Sequence, residues 1–190
     1  MKKWLMAVGL AATLASSALA AGTTTWQLDP AHSNAQFVVR HLGISNVQGE
    51  FTKVSGTVQL DDQDISKSSV TASINVSSVD TRVKMRDNDL RSPKFFDVAK
   101  FPAMTFQSTK IWKTGKGTAK MTGNLTLHGV TKEVTFDVTG PTAPIQAMGG
   151  TRRGVHATAS ISRKDFGITA DAGLIGNKIA ITIDAEMVQQ

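Results

Sequence analysis

Strict alternation of apolar and polar residues, interrupted by turn-forming clusters, runs through most of this chain and confines it to an all-β fold. Val70, Ala72, Ile74 and Val76 face one way while Thr71, Ser73 and Asn75 face the other. Ala119, Met121, Gly123, Leu125 and Leu127 alternate with Lys120, Thr122, Asn124 and Thr126, and Val134, Phe136 and Val138 with Glu133, Thr135 and Asp137. The same period orders Val155, Ala157, Ala159 and Ile161, and again Ile179, Ile181, Ile183, Ala185 and Met187. Gly- and Asp-rich turns separate the runs, among them Asp61 to Asp64, Gly115 to Gly117, His128-Gly129 and Gly149-Gly150. The count comes to about eight strands, at which an antiparallel sheet closes with room for one ligand.

Residues 81–98 depart from this period and read as a short helix followed by a second helical turn. Thr81 is placed to cap the first, and Ser92-Pro93 supplies a cap and a first-turn proline for the second. Val83 and Leu90 lie seven apart on one face. Such an insert in an all-β domain is expected to cover an open barrel end.

At the start of the chain, Met1-Lys2-Lys3 and the apolar run from Trp4 to Ala15 precede Ala18-Leu19-Ala20. That order is expected of a cleaved secretory signal over residues 1–20. The run is shorter than the roughly 20 residues of a comfortable membrane span. Residues 21–190 then form one domain, large enough for its own core. Removing Lys2 and Lys3 lowers the formal charge from +6 to +4. The remaining cations are scattered without interleaved aromatics, so no nucleic-acid partner is expected, although a positive excess suits transient contact with anionic lipid headgroups. The chain has no cysteine, so in an oxidising compartment the sheet, not disulfides, must hold the fold.

The dry positions are rich in small residues (Ala35, Ala72, Ala119, Gly123, Ala157, Ala159 and Ala185) set among Phe37, Ile74, Met104, Phe106, Met121, Leu125, Phe136 and Ile161. A barrel that fills its own interior needs more bulk, so the pattern favours an apolar cavity; the alternative is a tapered barrel narrowing at its small residues. Five methionines remain beyond the leader (Met85, Met104, Met121, Met148 and Met187), suited to variable apolar ligands or to core filling. With no Tyr in the chain, polar anchoring falls to other side chains; His41, on one face with Phe37 and Val39, is the best placed.

Asp29, His32 and Ser33 contain the residue types of a hydrolase triad, but neither a nucleophile elbow nor a Gly-rich oxyanion segment accompanies them. A turn whose side chains satisfy nearby backbone groups is the simpler account. His32, His41, His128 and His156 match no metal-binding spacing, and no metal or other cofactor is expected. Arg86, Asp87 and Arg91, with Arg152, Arg153 and Arg163, offer groups for a phosphate or carboxylate, or simply solvated charge.

Taken together, the segments Trp26-x-Leu28-Asp29-Pro30-x-His32-Ser33, Phe37-x-Val39-Arg40-His41-Leu42-Gly43 and Gly49-x-Phe51 resemble the YceI-like, or polyisoprenoid-binding, family. Arg86-Asp87-x-x-Leu90-Arg91-Ser92, Phe101-Pro102-x-Met104-Thr105-Phe106, Gly123-x-Leu125-Thr126-Leu127-His128-Gly129 and Arg163-x-Asp165-Phe166-Gly167 continue the pattern in order. The resemblance implies an exported, periplasmic, lipocalin-like antiparallel barrel that binds a long isoprenoid or similar amphiphile in its lumen without enzymatic activity. Alternation and resemblance together nominate Phe37, Val39, His41, Ile74, Leu90, Met104, Phe106, Met121, Gly123, Leu125, Phe136 and Ile161 as ligand-binding. A lipid-ester hydrolase using Ser33 and a stress-related structural protein with a filled barrel remain the alternatives, and homodimerisation stays open.

Overall fold

A computed structural model describes residues 22–190; the expected leader lies outside the described residues. Strands β1 (Thr24–Leu28), β2 (Asn34–His41), β3 (Ser45–Phe51), β4 (Val54–Leu60), β5 (Ser69–Asn75) and β6 (Val79–Asp80) come first. Helix α1 (Lys84–Arg91) follows, and then β7 (Ala103–Gly115), β8 (Thr118–Leu127), β9 (Val130–Thr139), β10 (Ile145–Ala147), β11 (Gly150–Ser162) and β12 (Ile175–Gln189).

Twelve strands make eight staves, because four staves are each broken once, the last of them β9 and β10, which pair with successive parts of β11. β12 pairs with β1 through Leu28 and Met187 and then with β2 through Asn34 and Asp184. Between these pairs, Asp29 to Ser33 face only Ala185 and Glu186, so the chain bulges outward there. β3 with β4, and β5 with β6, likewise continue one another across the barrel. The order β1/β2, β3/β4, β5/β6, β7, β8, β9/β10, β11, β12 is antiparallel throughout, and the β11–β12 pairing closes it into an eight-stranded barrel. Closure leaves no long exposed edge, which is how a sheet without disulfides protects itself.

The two ends differ. At the far end, Trp26, Leu60 and Met187 pack together, each no more than 3% exposed, and plug the lumen. The helical end carries the β2–β3 hairpin, α1 and the 163–175 turn. There Phe51 bridges the wall to the insert, its ring 5.7 Å from both Phe37 and Phe96.

The insert differs from its sequence reading in two respects. Thr81 does not cap α1, because it lies too far ahead of Lys84; instead the Asp87 carboxylate reaches back and accepts hydrogen bonds from Thr81 N (2.8 Å) and Oγ1 (2.6 Å). Residues 92–100 form successive turns rather than a second helix. Ser92 O accepts from both Phe95 N and Asp97 N, and Asp97 adopts a left-handed φ of 47°, which ends any helical path. Arg91 ties α1 down by donating to Ser77 O (2.8 Å) and Val79 O (2.7 Å).

Candidate functional site

The inward faces of the staves enclose a cavity of about 950 Å³, near the upper end of the range for small-molecule sites. Its wall is built by the period-two pattern. Val70, Ala72 and Ile74 enter from β5, Ala119, Met121 and Leu125 from β8, and Ile179, Ile181 and Ile183 from β12. Short side chains at Ala72, Ala119 and Ala157 leave the space open where branched residues would close it.

All the nominated residues except Gly123 stand in this wall: Phe37, Val39 and His41 on β2, Ile74 on β5, Leu90 on α1, Met104 and Phe106 on β7, Met121 and Leu125 on β8, Phe136 on β9 and Ile161 on β11. Gly123 is a correction. It is buried, yet it does not border the cavity. A β-carbon there would meet Phe106 Cζ at 2.5 Å and collide with Gln107 O, so the vacancy is filled by the Phe106 ring. Phe106 in turn packs edge-on against Phe136, ring centres 5.3 Å apart. Gly49 plays the same part on β3, lying opposite Phe37 in register with that ring over its backbone.

Polar groups on the wall gather at the helical end. His41, Thr81, Arg86, Asn88, Asp89, Ser92, Arg163 and Asp171 border it there, whereas Ser68 and Gln36 are the polar exceptions elsewhere. Arg86 donates from Nε to Thr81 Oγ1 (2.8 Å) and from Nη2 to Thr81 O (2.7 Å), which fixes its guanidinium under the insert. Arg163 is 4% exposed and is held by backbone carbonyls: Nε donates to Gly176 O, Nη1 to Ile168 O and Ala170 O, and Nη2 to Ile175 O, all at 2.8–3.0 Å. Burial lowers its pKa from the ordinary arginine value. Alternation alone does not single out Arg86 and Arg163 as wall residues, because one lies on the helical insert and the other in a short turn after β11. Ile179, Ile181 and Ile183 carried the same alternation signal as the nominated positions.

The Asp29-His32-Ser33 group lies on the outward bulge between β1 and β2. Asp29 Oδ1 accepts from Ala31 N (2.9 Å), and Oδ2 meets Arg152 Nη1 (2.6 Å) and His32 Nδ1 (2.9 Å). The Arg152 and His32 hydrogen bonds, in that order, hold the Asp29 carboxyl well below the usual carboxylate range. Ser33 Oγ donates to Glu186 O (3.2 Å) and accepts from Glu186 N (3.1 Å). The hydroxyl is thus committed to the backbone of β12, and His32 is turned toward Asp29. Ligating atoms of Asp29, His32 and Glu186 lie within 4.8 Å of one another, a convergence that histidine spacing does not reveal. Arg152 already bridges the two carboxylates, so a metal ion there would have to displace a guanidinium. Elsewhere His128 Nδ1 lies 3.2 Å from Phe166 O with its ring against Phe101, and His156 pairs with Asp184 on the exposed face.

Comparison with known proteins follows the same lines. The chain is 39% identical to Protein YceI of Salmonella arizonae over 192 residues, covering all of both chains. Its fold is similar to that of Burkholderia cenocepacia BcnA, with a TM-score of 0.75 at 25% identity over 84% of this chain and 98% of that one. It also shares the fold of a polyisoprenoid binding domain from Saccharophagus degradans, with a TM-score of 0.65 at 16% identity over 88% and 99% of the two chains. Residues 26–187, from the buried Trp26 to the buried Met187 that plug the far end, match the YceI-like domain, and the chain belongs to that family.

Proposed function

We propose that this barrel binds one long-chain amphiphile, a polyisoprenoid or isoprenoid quinone, without enzymatic activity. The observation that carries the reading is the cavity itself: about 950 Å³, apolar along its length and polar at its helical end. A hydrocarbon tail fits toward Trp26, with its headgroup oxygens near Arg86, Arg163 and His41. The similarity to a polyisoprenoid binding domain of the same fold supports that ligand class. Burying a twenty-carbon chain at about 0.8 kcal/mol per CH2 gains roughly 16 kcal/mol, against about 4–15 kcal/mol for association and ordering. Few polar contacts are then required, and chain length is free to vary.

The test is titration with a fluorescent long-chain isoprenoid, comparing the exported protein with Ala157→Phe. Ala157 borders the lumen opposite Ile183 on β12 and Val138 on β9, so a ring there projects into ligand space. Affinity is expected to fall at least tenfold while circular dichroism is unchanged. Equal affinity in a folded variant would place the ligand elsewhere.

We further propose that the chain is exported to the periplasm with residues 1–20 removed, as one domain spanning residues 21–190 that carries, stores or senses its ligand there. Among the described residues no helix is long and apolar enough to cross a membrane. Intact-mass measurement of exported protein is expected to give a chain beginning at Ala21; a mass retaining Trp4 would contradict the assignment.

A further inference from the structure

The exposed large apolar side chains are not spread evenly. Leu42, Ile44, Val83, Met85 and Leu174 all lie at the helical end, and the others among the described residues, Ile145 and Met148, lie at the far end. Met85 is 80% exposed and Ile44 76%. Val83 and Met85 also border the cavity, so the lumen meets solvent at this rim, whereas Trp26, Leu60 and Met187 plug the opposite end.

The rim is built from neighbouring pieces. Leu42 N donates to Leu174 O at 2.7 Å, which joins the β2–β3 hairpin to the turn before β12. In the hairpin, the His41–Ile44 turn, closed by Ile44 N donating to His41 O, gives Leu42 and Gly43 φ of 52° and 72°, a conformation that Asn-Gly serves best and leucine serves poorly. Local geometry does not explain the leucine. Cations surround these apolar residues: Arg82, Val83, Lys84 and Met85 are consecutive and all exposed. Arg40 precedes the hairpin and Lys178 follows the turn, both exposed. None of these four cations has an ion-pair partner among the described residues. Asp89, the exposed acid of α1, already faces Lys94 at 3.9 Å.

From the apolar rim, the unpaired cations and the cavity opening between them, we infer that the helical end docks onto an anionic lipid bilayer. The leucine, isoleucine, valine and methionine side chains enter the headgroup boundary while Arg40, Arg82, Lys84 and Lys178 meet lipid phosphates. This deepens the proposed function, because it holds the mouth of the lumen against the phase in which long-chain amphiphiles dissolve. A ligand then passes between bilayer and cavity without crossing water.

Vesicle flotation tests it with exported protein and no added isoprenoid, so that a failure of ligand binding and a failure of docking are read separately. The vesicles are phosphatidylglycerol mixed with phosphatidylcholine, or phosphatidylcholine alone. Wild type is expected to float with the anionic vesicles, at least fivefold less with neutral ones, and less at 0.5 M salt. Leu42→Asn with Ile44→Ser is expected to lose at least fivefold of the bound fraction. Ile145→Ser with Met148→Ser, at the far end, is expected to bind as wild type. Neither Leu42 nor Ile44 borders the cavity, so isoprenoid titration of the rim variant also reports that its barrel is intact. Should that variant misfold, Arg82→Ser with Lys84→Ser takes its place, with the same expected loss. Absence of wild-type flotation, or equal flotation of a folded rim variant, would overturn the inference. So would a dimer in sedimentation that the rim variant abolishes while vesicles bind neither protein, since the rim would then cover a second copy.

Discussion

The ring of Phe106 lies over the backbone of Gly123 on the neighbouring strand, its Cζ 2.5 Å from where a β-carbon would stand. The glycine thus makes room for a wall aromatic, and that aromatic, resting against Phe136, shapes the cavity. Gly123→Ala is therefore expected to destabilise the barrel by about 1–3 kcal/mol, because backbone at Gln107 as well as the ring must shift. Urea denaturation measures it. Unchanged stability would show that the strand pair yields easily at this point.

Asp29, whose pKa is lowered chiefly by Arg152 and then by His32, makes stability depend on pH with a definite sign. A carboxyl with a depressed folded pKa contributes above its unfolded pKa of about 3.9 and loses that contribution as pH falls toward the folded value. Asp29→Asn is expected to lower Tm at pH 7. The gap from wild type should shrink progressively below about pH 4. A gap that stays constant from neutral pH into acid would place the effect elsewhere.

Ser33→Ala removes both hydrogen bonds to the Glu186 backbone; Glu186 O keeps its bond from Asp29 N, so the expected cost is that of one unsatisfied donor, about 1–3 kcal/mol. Isoprenoid affinity should be unchanged, and activated-serine probes should label neither protein. Covalent labelling of wild type at Ser33, detected by peptide mass, would restore the hydrolase alternative.

The staves were legible because alternation marks a half-buried strand directly, and the same alternation separated lumen from surface at Phe37, Ile74, Leu125 and Phe136. It did not show what fills the room beside Gly123, since period two assigns a face and not the neighbour that leans across it. Nor did it show the Asp29–Arg152–Glu186 contact, which exists only once β12 has paired with both β1 and β11. The Thr81 cap failed for a local reason: the helix starts only at Lys84, and the Thr81 hydroxyl donates to the Asp87 carboxylate instead of accepting from the first turn. Arg163 was visible as a charge, but its role in binding two carbonyls of the turn before β12 and two at the start of β12 required the fold.

Native mass spectrometry of gently purified exported protein, before and after loading with excess long-chain isoprenoid, decides whether the lumen takes such a ligand. The chain mass plus that of one amphiphile is expected after loading, with the adduct reduced in Ala157→Phe. A bare chain after loading, from protein shown to be folded, would mean that the cavity accepts no such ligand and would contradict the account.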